Sequence, residues 1–118
     1  MDRAKLAEIN QWTHEELERC TGFWLKNGMD HVYGGIYTCL DRKGNIFSTD
    51  KSVWMQGRCG WIFAYLCKVY GVRQEWLDAS KSCLDFMEKH CINRGAGDRM
   101  YFTVTAEGKP LRQRRYCF

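Results

Sequence analysis

The chain of 118 residues carries a single proline, Pro110, and none of its apolar runs approaches the length of a membrane span. The first shortage separates it from disordered and low-complexity chains, the second from helical membrane proteins. It has no GxxxxGK loop, so no phosphate cradle of that kind is expected. Seven cysteines stand at 20, 39, 59, 67, 83, 91 and 117, yet none form a CxxC pair and no histidines accompany them at ligand spacing. That argues against a metal site. An odd count without a secretory leader reads as reduced thiols, mostly buried as small hydrophobes, in a cytoplasmic protein. The start, MDRAKLAEINQW, is charged and lacks the apolar core of such a leader. Acids are missing after Glu107, where Lys109, Arg112, Arg114 and Arg115 give a basic run and part of the net charge of +4. An anion or nucleic-acid patch is one reading of that run; a solvated strand end and helix start is the simpler one.

What is present is apolar: 45% hydrophobic and 14% aromatic residues, within the length of one domain. Residues 4–26 place Leu6, Ile9, Trp12 (or Thr13), Leu17, Cys20 and Trp24 near helical spacing, and Asn27-Gly28 supplies a stop. Ile36 to Cys39 favours a strand, Asp41 to Gly44 carries turn chemistry and Asn45 to Ser48 returns, a short hairpin. Thr49 or Asp50 can cap a second helix that runs to about Tyr70, before Gly71. Residues 74–91 form a third helix, amphipathic through Trp76, Leu77, Ser80, Leu84, Met87 and Cys91. A second glycine-bounded β segment follows, and RRYCF reads as the first turn of a fourth helix.

The order of elements therefore repeats. A shift of 64 residues lays Trp12 on Trp76, Tyr37 on Tyr101 and Gly44 on Gly108. This predicts a helix–hairpin–helix unit made once and begun again, in an architecture whose units bury their faces against neighbours.

Within the second helix, Trp54, Arg58, Trp61 and Tyr65 are spaced to share one face. The helix is apolar and aromatic enough to be buried, and a guanidinium on its stripe of rings is costly unless it is paired or faces a wet cavity. Gly57 and Gly60 flank it, each costing about 1 kcal/mol relative to alanine, so close helix packing or close ligand approach is expected there.

Tyr33-Gly34-Gly35, Thr38-Cys39-Leu40-Asp41, the run Val53-Trp54-Met55-Gln56-Gly57-Arg58 and Gly108-Lys109-Pro110-Leu111-Arg112 resemble, in order and spacing, the N-terminal part of the N-acylglucosamine 2-epimerases. The resemblance extends from about Trp24 to the last residue. It implies a mainly α fold, part of an (α/α)6 toroid of helical hairpins with short β-hairpin inserts, and residues 1–118 as one incomplete N-terminal segment holding about the first two hairpins. It implies a sugar substrate in the central cavity, interconversion of N-acetylglucosamine and N-acetylmannosamine, and no required cofactor, with ATP as a possible activator. Relatives with the same barrel act on cellobiose or mannose.

Epimerisation at C2 of an aldose removes the proton beside the carbonyl and returns it to the other face of an enediolate. The resemblance carries onto Arg58 a cavity-facing role, stabilising the enediolate oxygen, with Trp54 and Trp61 as walls that hold the guanidinium. A structural arginine paired with a carboxylate is the alternative. Tyr37 is a possible sugar contact, with hairpin packing equally compatible. Arg115 matches an arginine at the start of the family's fourth helix. The acid and base histidines of the family belong to later helices, and His14, His31 and His90 match none of them. The expectation is a chain without turnover alone, not bound to nucleic acid or membrane, that forms a homo-oligomer through its cut faces. A non-catalytic helical module that binds a sugar or associates with itself is the competing expectation.

Overall fold

Three helices and three small sheets make up residues 2–112, the part of the chain that the computed structural model describes. Helix α1 (Arg3–Asn27) opens at Asp2, whose carboxylate accepts from the Lys5 amide at 2.7 Å, and closes as the Gly28 amide donates to the Trp24 carbonyl at 2.8 Å. The strands are β1 (Cys39–Leu40), β2 (Ile46–Ser48) and β3 (Lys51–Ser52), then β4 (Ile92–Asn93), β5 (Arg99–Met100), β6 (Thr103–Val104) and β7 (Pro110–Arg112). Helix α2 (Val53–Tyr70) follows β3 directly. Its cap is Ser52, not Thr49 or Asp50, because Lys51 and Ser52 first pair with β6 and the helix can open only after that ladder. Helix α3 (Gln74–Phe86) continues as a π-type turn, Met87–Cys91.

The strand expected at Ile36 begins three residues later. Ile36 makes an isolated bridge with Met29, and its N–H and C=O are held by the Gln56 side-chain amide, at 2.8 and 2.7 Å. With both groups engaged there, Ile36 has none left for a regular ladder.

The repeat appears at the level of single hydrogen bonds. In the first hairpin Cys39 pairs with Ser48 and Leu40 with Ile46; in the second Thr103 pairs with Arg112 and Val104 with Pro110, each shifted by 64, and each ladder is irregular at the same step. The turns match as well: Asp41 N to Asn45 O and Gly44 N to Asp41 O recur as Thr105 N to Lys109 O and Gly108 N to Thr105 O. Gly44 and Gly108 both sit at positive φ, +89° and +95°. The units are stitched by β3, which leads into α2 of the first and pairs with β6 of the second. RRYCF, and with it Arg115, lies outside the described residues.

The main core joins α2 and α3 through Phe63, Leu66, Cys67, Trp76 and Ala79, with Leu17 and Leu25 of α1 against it. The helices approach closely at Gly60, whose carbonyl accepts from Ser80 Oγ at 2.7 Å and where a Cβ would meet Leu84 at 3.3 Å. A smaller core holds Val53, Phe86, Cys91 and Val104. Of the face expected for the third helix, Trp76, Ser80 and Cys91 are buried and Met87 half-buried, whereas Leu77 and Leu84 are exposed and Ala79, Cys83 and Phe86 are buried in addition. Trp12 is exposed although its repeat counterpart Trp76 is buried, and Thr21 is the one buried residue of α1. Of the six described cysteines, half are buried: Cys67, Cys83 and Cys91.

Candidate functional site

The two sides of α2 differ sharply. Gln56, Gly60, Phe63 and Leu66 face inward, while Trp54 (59% exposed), Arg58, Trp61 (63%) and Tyr65 form an open ridge. The helix is thus not buried all round, and Arg58 bears no desolvation cost that needs a partner. Its guanidinium lies over the Trp54 ring, 4.6 Å from the centroid, and Trp61 and Tyr65 stack at 4.8 Å with planes 9° apart. Among the described residues no carboxylate stands within ion-pair distance of Arg58. Its donors are free to meet a ligand, and the ring beneath restricts the plane in which they point.

Two grooves flank the ridge, and Arg58 lines both. On one side an open groove of about 550 Å³ is walled by Trp54, Gly57, Trp61, Met87, Met100, Tyr101 and Phe102. On the other a narrower one of about 310 Å³ runs between α1 and α2, past Trp24, Ile36, Tyr37, Thr38, Met55 and Cys59. The structure brings Trp54 and Trp61 to the first side of Arg58 and Tyr37 to the second. The repeat shows again: Tyr37 and Tyr101, 64 residues apart, each line one groove.

The loop that carries Tyr37 is held from below. Gly34 and Gly35 take positive φ, +87° and +75°, and a Cβ on Gly35 would meet Gln56 Oε1 at 2.5 Å. Gly35 N donates to Ser82 Oγ at 2.9 Å. Asp30 accepts the amides of Val32 and Tyr33 on one carboxylate oxygen and the Lys51 ammonium, at 2.6 Å, on the other. This ion pair is buried, with side-chain exposures of 0% for Lys51 and 1% for Asp30. Burial pushes the Asp30 carboxyl up, but the hydrogen bond from Lys51 and the two backbone amides outweigh it and hold the group below its ordinary value. Burial, followed by a hydrogen bond to the Asp30 carboxylate, raises the Tyr37 phenol, which therefore stays neutral near pH 7.

No histidine lines either groove. His14 is exposed and meets the Tyr70 ring edge-on at 5.4 Å; His31 is exposed in the loop after Asp30. His90 is partly buried beside Phe86 and under Gly108, and burial, with the charges of Lys89 and Lys51, lowers its pKa.

Sequence reasoning did not single out Asp30, Lys51 or Gln56. For Gln56 a signal existed, since it lies inside Trp54-Met55-Gln56-Gly57-Arg58. For Lys51 none did: lysine is rarely buried, and its three acceptors lie 21, 17 and 55 residues away in the chain.

The N-acylglucosamine 2-epimerase (GlcNAc 2-epimerase) family model matches residues 35–118. The chain is 30% identical to the N-acylglucosamine 2-epimerase of Homo sapiens and 31% to that of Rattus norvegicus, in each case over 99% of its own length and 28% of the relative's. It thus spans little more than a quarter of the curated relatives it matches. Among solved structures, a cellobiose 2-epimerase from Spirochaeta thermophila shares the fold at a TM-score of 0.82 and 22% identity, over 93% of this chain and 27% of that one. A sugar epimerase from a ruminal bacterium aligns at 0.70 and 29% identity, over 79% and 23%. These neighbours are of the (α/α)6 toroid type, of which the two repeated units form a part. The chain belongs to the N-acylglucosamine 2-epimerase family.

Proposed function

We propose that this chain forms the N-terminal segment of an N-acyl-D-glucosamine 2-epimerase, supplying one wall of the sugar site and the cation that stabilises the enediolate, while the acid and base come from helices it does not contain. One observation carries the reading: Arg58, with no ion-pair partner among the described residues and held over Trp54 at the meeting of two grooves, lies in the run Val53 to Arg58 that resembles the family. C2 deprotonation places negative charge on the oxygen of the former carbonyl. A guanidinium presented from an aromatic wall, with no carboxylate among the described residues competing for it, suits that charge better than it suits the neutral substrate. Trp54 and Trp61 offer apolar faces against which a sugar ring can lie. ATP is a possible activator by family resemblance alone, and the sequence has no GxxxxGK loop.

The test is to incubate the purified chain with N-acetylmannosamine in D₂O, with and without ATP, and follow loss of the H2 signal by proton NMR, with a parallel titration for binding. Saturable binding without H2 exchange supports the reading. Exchange above background would show that these 118 residues assemble a complete site, with His14, His31 or His90 taking part. A second reading, epimerisation of a disaccharide, is favoured by the fold match to cellobiose 2-epimerases. The open stack of Trp61 on Tyr65 leaves room for a second ring. Tighter binding of cellobiose than of N-acetylmannosamine would select it.

A further inference from the structure

We propose that Lys51 is a positioning residue, whose ammonium fixes the loop bearing Tyr37 against the hairpin bearing Tyr101 and Phe102 and so sets the width of both grooves beside Arg58. The inference rests on the sugar-site reading given above. Three observations converge on it. The Lys51 side chain is fully buried, and all three of its N–H donors are used: Asp30 Oδ2 at 2.6 Å, Gly34 O at 2.8 Å and Ala106 O at 3.0 Å. These acceptors belong to two segments far apart in sequence. Asp30 and Gly34 bound the loop that ends at Tyr37, and Ala106 lies in the turn of the β6–β7 hairpin, four residues after Phe102.

The ammonium also stands 4.4 Å from the centroid of Phe86 and 5.0 Å from that of Tyr37, so the ring that lines the narrower groove touches the cation directly. Finally, Lys51 is continuous with the helix that carries the site. It lies in β3, two residues before α2 begins and seven before Arg58, with its own backbone paired to Val104.

Neutralising Asp30 does not require this arrangement. A lysine held only as a counter-ion needs one contact to the carboxylate, whereas two of the three donors reach neutral carbonyls in different segments. Those carbonyls converge on one point, and their negative ends repel unless a donor stands between them. Removing the ammonium would therefore part the two segments, even with the backbone ladder between β3 and β6 intact. The grooves on either side of Arg58 would widen, and the ligand would lose its fit to the guanidinium.

The experiment compares the chain with Lys51→Met and with the double variant Asp30→Asn/Lys51→Met. The single variant leaves an unpaired buried carboxylate; the double variant leaves no buried charge and keeps the volume. Two readouts are taken: the affinity for N-acetylmannosamine by NMR titration, and hydrogen exchange of the Gly34 and Gly108 amides, which bond within the two loops, against that of the Leu66 amide in the α2–α3 core. The double variant is expected to recover most of the melting temperature lost in Lys51→Met. It should still bind the sugar roughly 10- to 100-fold more weakly, the scale on which small misplacements of a site act, and its Gly34 and Gly108 amides should exchange about tenfold faster while Leu66 is unchanged. A double variant that binds and exchanges as the parent does would overturn the proposal and leave Lys51 a counter-ion. If the parent binds no sugar, the sugar reading fails and the exchange readout alone decides: faster loop exchange upholds positioning, unchanged exchange overturns it. A measurement on the parent stands in should the variants not fold. The Lys51 ammonium protons should exchange slowly and show contacts to Gly34 and Ala106, and an ammonium averaging rapidly with water would sink the idea.

Discussion

At the scale of single residues, Arg58 and Asp30 test opposite kinds of role. Arg58 is exposed, and what it contributes to stability is bounded by an exposed cation–π contact, about 0.5–1 kcal/mol. Arg58→Ala should therefore leave thermal unfolding almost unchanged while weakening N-acetylmannosamine binding at least tenfold. Arg58→Lys should recover little, because a point charge lacks the planar fork. A loss of several kcal/mol on Arg58→Ala would instead mark a structural arginine. Asp30 behaves the other way. Its carboxyl is held below the ordinary value of about 3.9 in the fold, so its contribution is complete above that value and is lost as pH falls through the lower folded one. Asp30→Asn leaves Lys51 buried without a counter-charge and should cost about 3–5 kcal/mol at pH 7. The gap between the variant and the parent should close as pH is lowered below 4, followed by tryptophan fluorescence during acid unfolding. A gap that stayed constant with pH would dismiss the ion pair as its source.

At the scale of elements, the two loops are held by side chains that act as pieces of backbone. Gln56 gives and accepts one hydrogen bond with Ile36, as a neighbouring strand would. Gln56→Leu strands both buried groups of Ile36, each worth about 1–3 kcal/mol, and urea unfolding should show a loss of several kcal/mol with the slope unchanged. In the second hairpin Gly108 sits at φ +95° with the His90 ring where a Cβ would go. Gly108→Ala should cost about 1–3 kcal/mol from the backbone alone, plus a steric part that His90→Ala relieves in a double-mutant cycle. Additive single effects would place the histidine elsewhere. These interactions also mark where the sequence was legible. The three helices and both hairpins follow from local signals: apolar spacing, glycine stops, turn residues at Asp41 and Gly44. The 64-residue shift, read from a few identities, reappears as matching registers and turn bonds. Nothing local told that Lys51 and Ser52 would pair with a strand some fifty residues away, and so Ser52 took the capping role expected of Thr49 or Asp50. On the third helix the expected face holds at Trp76, Ser80 and Cys91 and departs at Leu77 and Leu84, which stay exposed although Leu84 lies against Gly60, because Ala79, Cys83 and Phe86 fill the buried side. In the site, Arg58 stood out as a charge among rings, whereas Lys51 was one lysine among many.

At the scale of the whole molecule, the apolar surface decides behaviour in solution. Trp54, Trp61, Ile62, Tyr65, Val69 and Tyr70 are all exposed along α2, and Leu6, Ile9 and Trp12 along the first turns of α1. Clustered exposed apolar side chains of this kind favour association. The chain alone should therefore sediment at micromolar concentration as a species heavier than its 13.9 kDa. Because burial of apolar surface weakens on cooling, the heavier species should decline between 25 °C and 5 °C. Trp61→Glu with Tyr65→Glu sets two like charges on the stacked pair and should shift the distribution toward monomer, with the circular dichroism of the helices preserved because neither ring belongs to the core. Such a shift would assign the association to the ridge that also bears Arg58, and added N-acetylmannosamine should then compete with it. A single 13.9 kDa species at every concentration, in parent and variant alike, would refute the argument.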